Sequence, residues 1–251
     1  MNLSALKENK SFYNEKSILD ILDIVAWKKS NQSYNFETLP KTAILSLSRF
    51  LLSKKQRIFS KKLKGLFGQN YILNKNYVYC SEFGNGAPAI IGLMEELRVF
   101  GVENFIFIGL AGVLKDEIEE KVCIVNNAFS TSGSTYLYSD KDSFQPKKDK
   151  WFDFFTKELN YKECICWSTD APFRETKMLF TYFKEKNVTH VDMECASIYA
   201  FAEFYKLNAL CFVVSADSIL NLTWNPPKNK GEINLILKET IEKIIAIKYE
   251  A

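Results

Sequence analysis

The chain has 251 residues, 47% hydrophobic and 14% aromatic, enough to bury a sizeable core within one α/β domain. Lys and Arg number 33 against 30 Asp and Glu, and a formal charge of +3 is too small to argue for a nucleic-acid groove or an anionic membrane, so the expected partner is a small molecule. A lone histidine, His190, excludes a histidine-rich metal site; the six cysteines sit mostly in apolar runs without a CxxC, as reduced buried thiols do. No apolar stretch approaches the roughly 20 residues of a membrane span, and no signal peptide is visible, so a cytoplasmic protein is expected.

In chain order, residues 1–40 read as a less regular N-terminal extension with one amphipathic helix over 17–28, where Ile18, Ile21, Leu22, Ile24 and Val25 recur at helical spacing, followed by a polar loop, SNQSYNFETLP. A regular alternation begins at Thr42: the apolar run TAILSLS, a basic segment over 54–64 that reads as a solvated helix face, and a second run, YVYCSEF. GNGAP leads into the helix AIIGLMEELRVFG, and ENFIFIGLAGVL then reads as a strand buried on both faces, which completes a βαβ unit. The stretch from Asn126 to Lys150 is small and polar, and suits a long loop able to close over a ligand. Beyond it come the strand CICWST, a helix over 175–186, HVDM, a helix over 195–205, the strand ALCFVVSA and a last helix over 233–249.

Four polar or glycine-rich clusters stand at the ends of these apolar strands, where α/β sheets bind ligands. Gly84 and Gly86, in GNGAP, are a plain tight turn or a place where backbone amides approach an anion. In TDAPFRET, Phe173 and Arg174 present a ring and a guanidinium to a planar ligand, or else Asp170 caps the next helix and Arg174 pairs with a surface acid. In HVDMECAS a helix cap needs only one of Asp192 and Glu194, whereas an ionised carboxylate can accept both hydroxyls of a vicinal diol. Asp217, closing ALCFVVSA, is either an N-cap or a partly desolvated group suited to general-acid work.

Taken in order, GNGAPAI, FIGLAGVL, SGSTYLY, TDAPFRET, VDMECASIYAFAEF and VVSADSI resemble motifs of the family-1 nucleoside phosphorylases and related nucleosidases, from about Thr42 to the C-terminus. The resemblance implies a three-layer α/β/α sandwich around a mixed, partly barrel-like sheet, a homo-oligomer (dimer or hexamer), and cleavage of the bond between ribose and a purine base. By that likeness Glu194 binds the ribose hydroxyls, Met193 packs on the sugar, Asp217 protonates the leaving base, and Phe173 and Arg174 face the base. No cofactor is implied beyond inorganic phosphate as co-substrate.

The phosphate side departs from the family pattern. Phe107 and Leu110 stand where phosphorylases carry an arginine and a hydroxyl residue, and a phosphate dianion lacking both would be poorly stabilised. Gly84 and Gly86 remain as backbone donors. Arg49, just after TAILSLS, is the arginine placed to approach the site or a neighbour's, whereas Arg98 falls too far along its helix. Three readings follow: a phosphorylase with an altered phosphate site, a hydrolytic nucleosidase, and a non-catalytic nucleoside-binding member.

Overall fold

The computed structural model describes residues 10–47, 51–115, 121–220, 222–227 and 229–249; Arg49 lies outside the described residues. The strands are β1 (Thr42–Ser46), β2 (Lys61–Lys62), β3 (Gln69–Ile72), β4 (Tyr77–Ser81), β5 (Asn104–Val113), β6 (Val122–Ser130), β7 (Ser143–Phe144), β8 (Lys162–Ser168), β9 (His190–Asp192), β10 (Asn208–Leu220) and β11 (Thr223–Asn225). The helices are α1 (Ile21–Ser30), α2 (Lys54–Ile58), α3 (Ala87–Val99), α4 (Lys150–Leu159), α5 (Lys177–Glu185), α6 (Cys195–Tyr205) and α7 (Lys230–Ala246).

Among the described residues all eleven strands join one mixed sheet, in which β5 pairs with β1, β9 and β10. Because β10 also pairs with β6, β6 with β8 and β8 with β9, the strands β5, β10, β6, β8 and β9 close into a ring, and β1, β4, β3 and β2 extend from it as a wing. The expected layered architecture with a partly barrel-like sheet is therefore present. Strand alternation sorts the core: Phe105 and Phe107 of β5 pack with α1, α3 and α6, whereas Ile106 and Ile108 pack with α4 and α7. A third cluster, Trp167 with Phe183 and Phe180 of α5 and Val191 of β9, closes the side nearest the site, with Trp167 and Phe183 stacked at 4.5 Å. Each such fully buried ring contributes roughly 2–3 kcal/mol.

Several elements differ from the sequence reading. The first helix starts at Ile21, because the Asp20 side chain accepts the Leu22 N–H and caps it there; Ile18 and Leu19 stay exposed. In the basic segment only Lys54–Ile58 is helical, opened by a Ser53–Gln56 capping box, and Lys61–Lys62 turns into an edge strand. The stretch expected as a long loop is largely ordered: its first five residues finish β6, Ser143–Phe144 forms β7, and Asp149 caps α4 through the N–H groups of Trp151 and Phe152. A register shift between Val125 and Asn127 breaks the alternation there and hides the strand from a period-2 reading. β10 continues to Leu220 past an irregularity between Ser215 and Ser218, so Asp217 lies within a strand and is not an N-cap.

All six cysteines are free and buried. His190 is fully buried, with Nδ1 against Thr189 Oγ1 at 2.9 Å and Nε2 against Ser215 Oγ at 3.1 Å, and burial pushes its pKa down to about 4. The unfolded chain therefore binds this proton first, at about 6.5, and the neutral ring's contribution is present above that pH and lost as pH falls toward 4. Between pH 6.5 and 5 the wild-type protein should lose ~2 kcal/mol of unfolding free energy more than His190→Gln in parallel urea titrations; equal losses would refute this assignment.

Candidate active site

The end of β9 and the start of α6 form the floor of a cleft. Asp192 Oδ2 accepts the N–H groups of Glu194 (3.1 Å) and Cys195 (2.8 Å), and its Oδ1 accepts Ser168 Oγ–H at 2.5 Å. Ser168 Oγ in turn accepts the N–H of Ala196 at 2.9 Å. These bonds take up the first free N–H groups of α6, which would otherwise be buried without partners. Asp192 is thus the cap, and Glu194 is released from that duty.

Glu194 is 2% exposed, and its Oε1 accepts the Gly86 N–H at 2.6 Å. Gly86, at φ 84°, is the N-cap of α3, so the N-terminal ends of α3 and α6 converge on one carboxyl group. The positive φ suits glycine, and the Met193 side chain packs 3.6 Å from where a Cβ would stand. Burial, then the charge of nearby Asp192, push Glu194 up to about 8, against the Gly86 hydrogen bond. Asp192 is also raised by burial, but the Ser168, Cys195 and Glu194 donors favour its ionised form.

These groups open into a cavity of about 850 Å³ lined by Met193, Glu194, Asn85, Ser46 and Leu47 together with Asp217, Phe173, Glu175 and Trp224. Trp224, on the β10–β11 hairpin, donates its Nε1–H to Asp217 Oδ2 at 2.6 Å. A Cβ on Gly112 of β5 would stand 3.3 Å from Asp217 Oδ1, so glycine there leaves room for that oxygen. Glu175 is half-buried, and burial followed by the Asp217 charge pushes it up to about 7.

Of the residues singled out from sequence, Glu194, Met193, Asp217 and Phe173 line this one cavity. Gly86 touches it through Glu194, while Gly84, at φ 106°, shapes the turn without lining it. Arg174 is exposed and does not line the cavity; Phe173, 98% exposed, stands at its edge. Asp170 does not cap α5, which Thr176 does; it accepts Ser132 Oγ–H and Gly133 N–H, each at 2.6 Å, and ties down the turn after β6. Leu110 lines the cavity, but Phe107 points to the opposite face of β5, into the α3 and α6 core, and so is no part of the wall. Arg98 pairs with Glu95 at 2.7 Å and stacks on Tyr205 of α6, far along α3 from Gly86, as expected.

Glu175 and Trp224 were not foreseen as site residues. Glu175 lies inside the TDAPFRET stretch without a spacing signal of its own, and Trp224 arrives only because β10 turns back as a hairpin. Among the described lining residues none is Lys or Arg, and among the described residues no cluster of three or more metal-ligating side chains occurs. No described helix is long and apolar enough to cross a membrane.

The profile of one protein family, the Phosphorylase superfamily, matches residues 47–244 and so spans both helix ends at Glu194 and the strand carrying Asp217. The chain belongs to the phosphorylase superfamily. Among curated relatives it is similar to the DeoD-type purine nucleoside phosphorylase of Brevibacillus brevis, 28% identical over 166 residues, 63% of this chain and 71% of the relative. It is similar at 26% over 174 residues to the same-named protein of Buchnera aphidicola, covering 64% and 73% of the two chains, and at 25% over 169 residues to that of Streptococcus pneumoniae, covering 64% and 71%. Glu194 and Asp217, the carboxyl groups singled out from the sequence, line one cavity.

The capping role of Asp192 has a direct consequence. Asp192→Ala strands the α6 N–H groups and Ser168 Oγ and should cost roughly 2–4 kcal/mol in urea unfolding. An unchanged midpoint would remove Asp192 from the frame of the site.

Proposed function

We propose that this chain cleaves the N-glycosidic bond of a purine ribonucleoside, releasing the free base. The observation that carries this reading is Glu194: a buried carboxyl group, relieved of capping by Asp192 and exposed to the cavity beside Met193. The two hydroxyls of a ribose donate to this carboxyl group, and such hydrogen bonds favour its ionised form, which offers acceptor sites only, so binding draws the group down from about 8 toward the anion. With the sugar there, the base extends toward Asp217, Glu175 and Phe173. Breaking the C1′–N bond leaves electron density on the base and positive charge on the sugar, so a proton supplied at the base and an anionic carboxylate near the ribose both lower the barrier. In this reading Asp217 hands the proton to the base, Phe173 covers the ring, and exposed Arg174 has to swing inward to contribute.

The relatives named above support phosphate as the nucleophile, giving ribose 1-phosphate; Arg49, two residues beyond cavity-lining Leu47, then supplies the cation, in its own or a neighbouring subunit of a dimer or hexamer, and the Gly84–Gly86 turn the backbone donors. Hydrolysis is the second reading. It is favoured by the apolar Leu47, Ile108 and Leu110 and by the want of Lys or Arg among the described lining residues.

Incubation with purine and pyrimidine nucleosides, with and without phosphate, separates the readings. Phosphorolysis predicts ribose 1-phosphate only when phosphate is present; hydrolysis predicts free ribose at equal rates in both buffers. No base release from any nucleoside would refute both and leave a nucleoside-binding protein. Asp217→Asn should hold nucleoside affinity within a few-fold and cut turnover by about 10²-fold; unchanged turnover would take Asp217 out of proton delivery.

A further inference from the structure

We propose that Trp224 is the positioning residue for Asp217: its indole N–H holds Oδ2 and so turns Oδ1 toward the base. The inference rests on the nucleoside-cleaving reading and deepens it, by naming what aims the group that meets the base. The contact is direct, an Nε1–H donated to Asp217 Oδ2 at 2.6 Å. An indole N–H only donates, so the direction of the bond is fixed. An aspartate carboxyl group turns about a broad, roughly two-fold torsion, and without a fixed partner its two oxygens exchange places. Trp224 breaks that symmetry.

The local fold delivers the indole to this oxygen. β11 pairs with β10 so that Trp224 stands opposite Ile219. Side chains two apart on a strand share a face, so Asp217 is the diagonal neighbour of Trp224, a separation that an aromatic side chain can span. Asp217, Ile219 and Trp224 all line the cavity. The three residues of β11 are exposed, Trp224 at 61%, so burial of apolar surface does not account for this short edge strand. What the hairpin brings to the site is the indole.

The other oxygen is placed from the opposite strand. A Cβ on Gly112 of β5 would stand 3.3 Å from Asp217 Oδ1 and 3.1 Å from Val191 Cγ1. Gly112 is not among the glycines at positive φ, so the space, and not the backbone conformation, calls for glycine there. Ile108 and Leu110 of β5 and Ile219 of β10, which line the same cavity, are apolar and do not compete for Oδ1. One oxygen of Asp217 is thus taken by a donor and the other is left to the base. A group held in its reacting orientation before the substrate arrives lowers the barrier, because that ordering is not required during the reaction.

The test uses Trp224→Phe and Asp217→Ala in the full chain, alone and together. Trp224→Phe keeps an aromatic wall and drops the N–H, so kcat for base release should fall about 10-fold while KM stays within about 2-fold. In the Asp217→Ala background the same substitution should change the rate by less than about 2-fold, since no carboxyl group is left to hold. By proton NMR, one indole N–H signal among the four tryptophans should shift upfield in Asp217→Ala, the one that vanishes in Trp224→Phe. That shift decides the pairing by itself if Trp224→Phe fails to fold. A raised KM with kcat unchanged would make Trp224 a wall for the base and overturns the proposal. An equal loss in both backgrounds, or four indole signals indifferent to Asp217→Ala, overturns it as well. A protein that releases no base from any nucleoside, yet whose indole signal still answers to Asp217, overturns the nucleoside-cleaving reading instead.

Discussion

The site depends on Asp192 and on what it spares Glu194 from doing. A helix beginning inside a protein brings N–H groups that must be paired, and α6 begins beneath the cavity floor with its first turn buried. Asp192 and Ser168, from the adjacent parallel strands β9 and β8, meet that demand together. With the demand met, the residue at the helix N-cap position is free to turn its carboxyl group toward the Gly86 amide and the cavity. The closed ring of strands matters for the same reason, since it sets β9 between β5 and β8 and so puts Ser168 beside Asp192.

The electrostatics of the cavity follow from this frame. Glu194 sits where two helix N-termini meet, which favours its anion, yet burial and Asp192 oppose ionisation. In the same cavity Trp224 donates its indole N–H to Asp217, and burial followed by the Asp217 charge raises Glu175. The cavity thus gathers four carboxyl groups, Asp192, Glu194, Glu175 and Asp217, among mostly apolar walls.

Much of this was legible in the sequence where physical chemistry leaves a local trace. The helix over 195–205 and the strand at HVDM were readable because apolar residues recur at a clean period and the carboxylates break it at a boundary. Glu194 and Asp217 stood out because each interrupts an apolar run at its end, Phe173 as a ring within the polar TDAPFRET cluster, and Met193 through the family resemblance. Other features leave no local trace. The register shift between Val125 and Asn127 disguised β6 as loop, and the side to which Phe107 points depends on the pairing of β5 with three neighbours. Glu175 and Trp224 gain their significance only from sharing a cavity with Asp217, which Trp224 meets through the pairing of β10 with β11.

The most direct measurement of the central claim is the affinity of adenosine against 2′,3′-dideoxyadenosine, by calorimetry, for the wild-type protein and for Glu194→Ala. The account predicts that the wild type prefers the diol by about 10-fold or more and that Glu194→Ala loses this preference, because the hydroxyls then have no charged acceptor. Equal affinity of the wild type for both ligands, or a preference that survives the substitution, would contradict it.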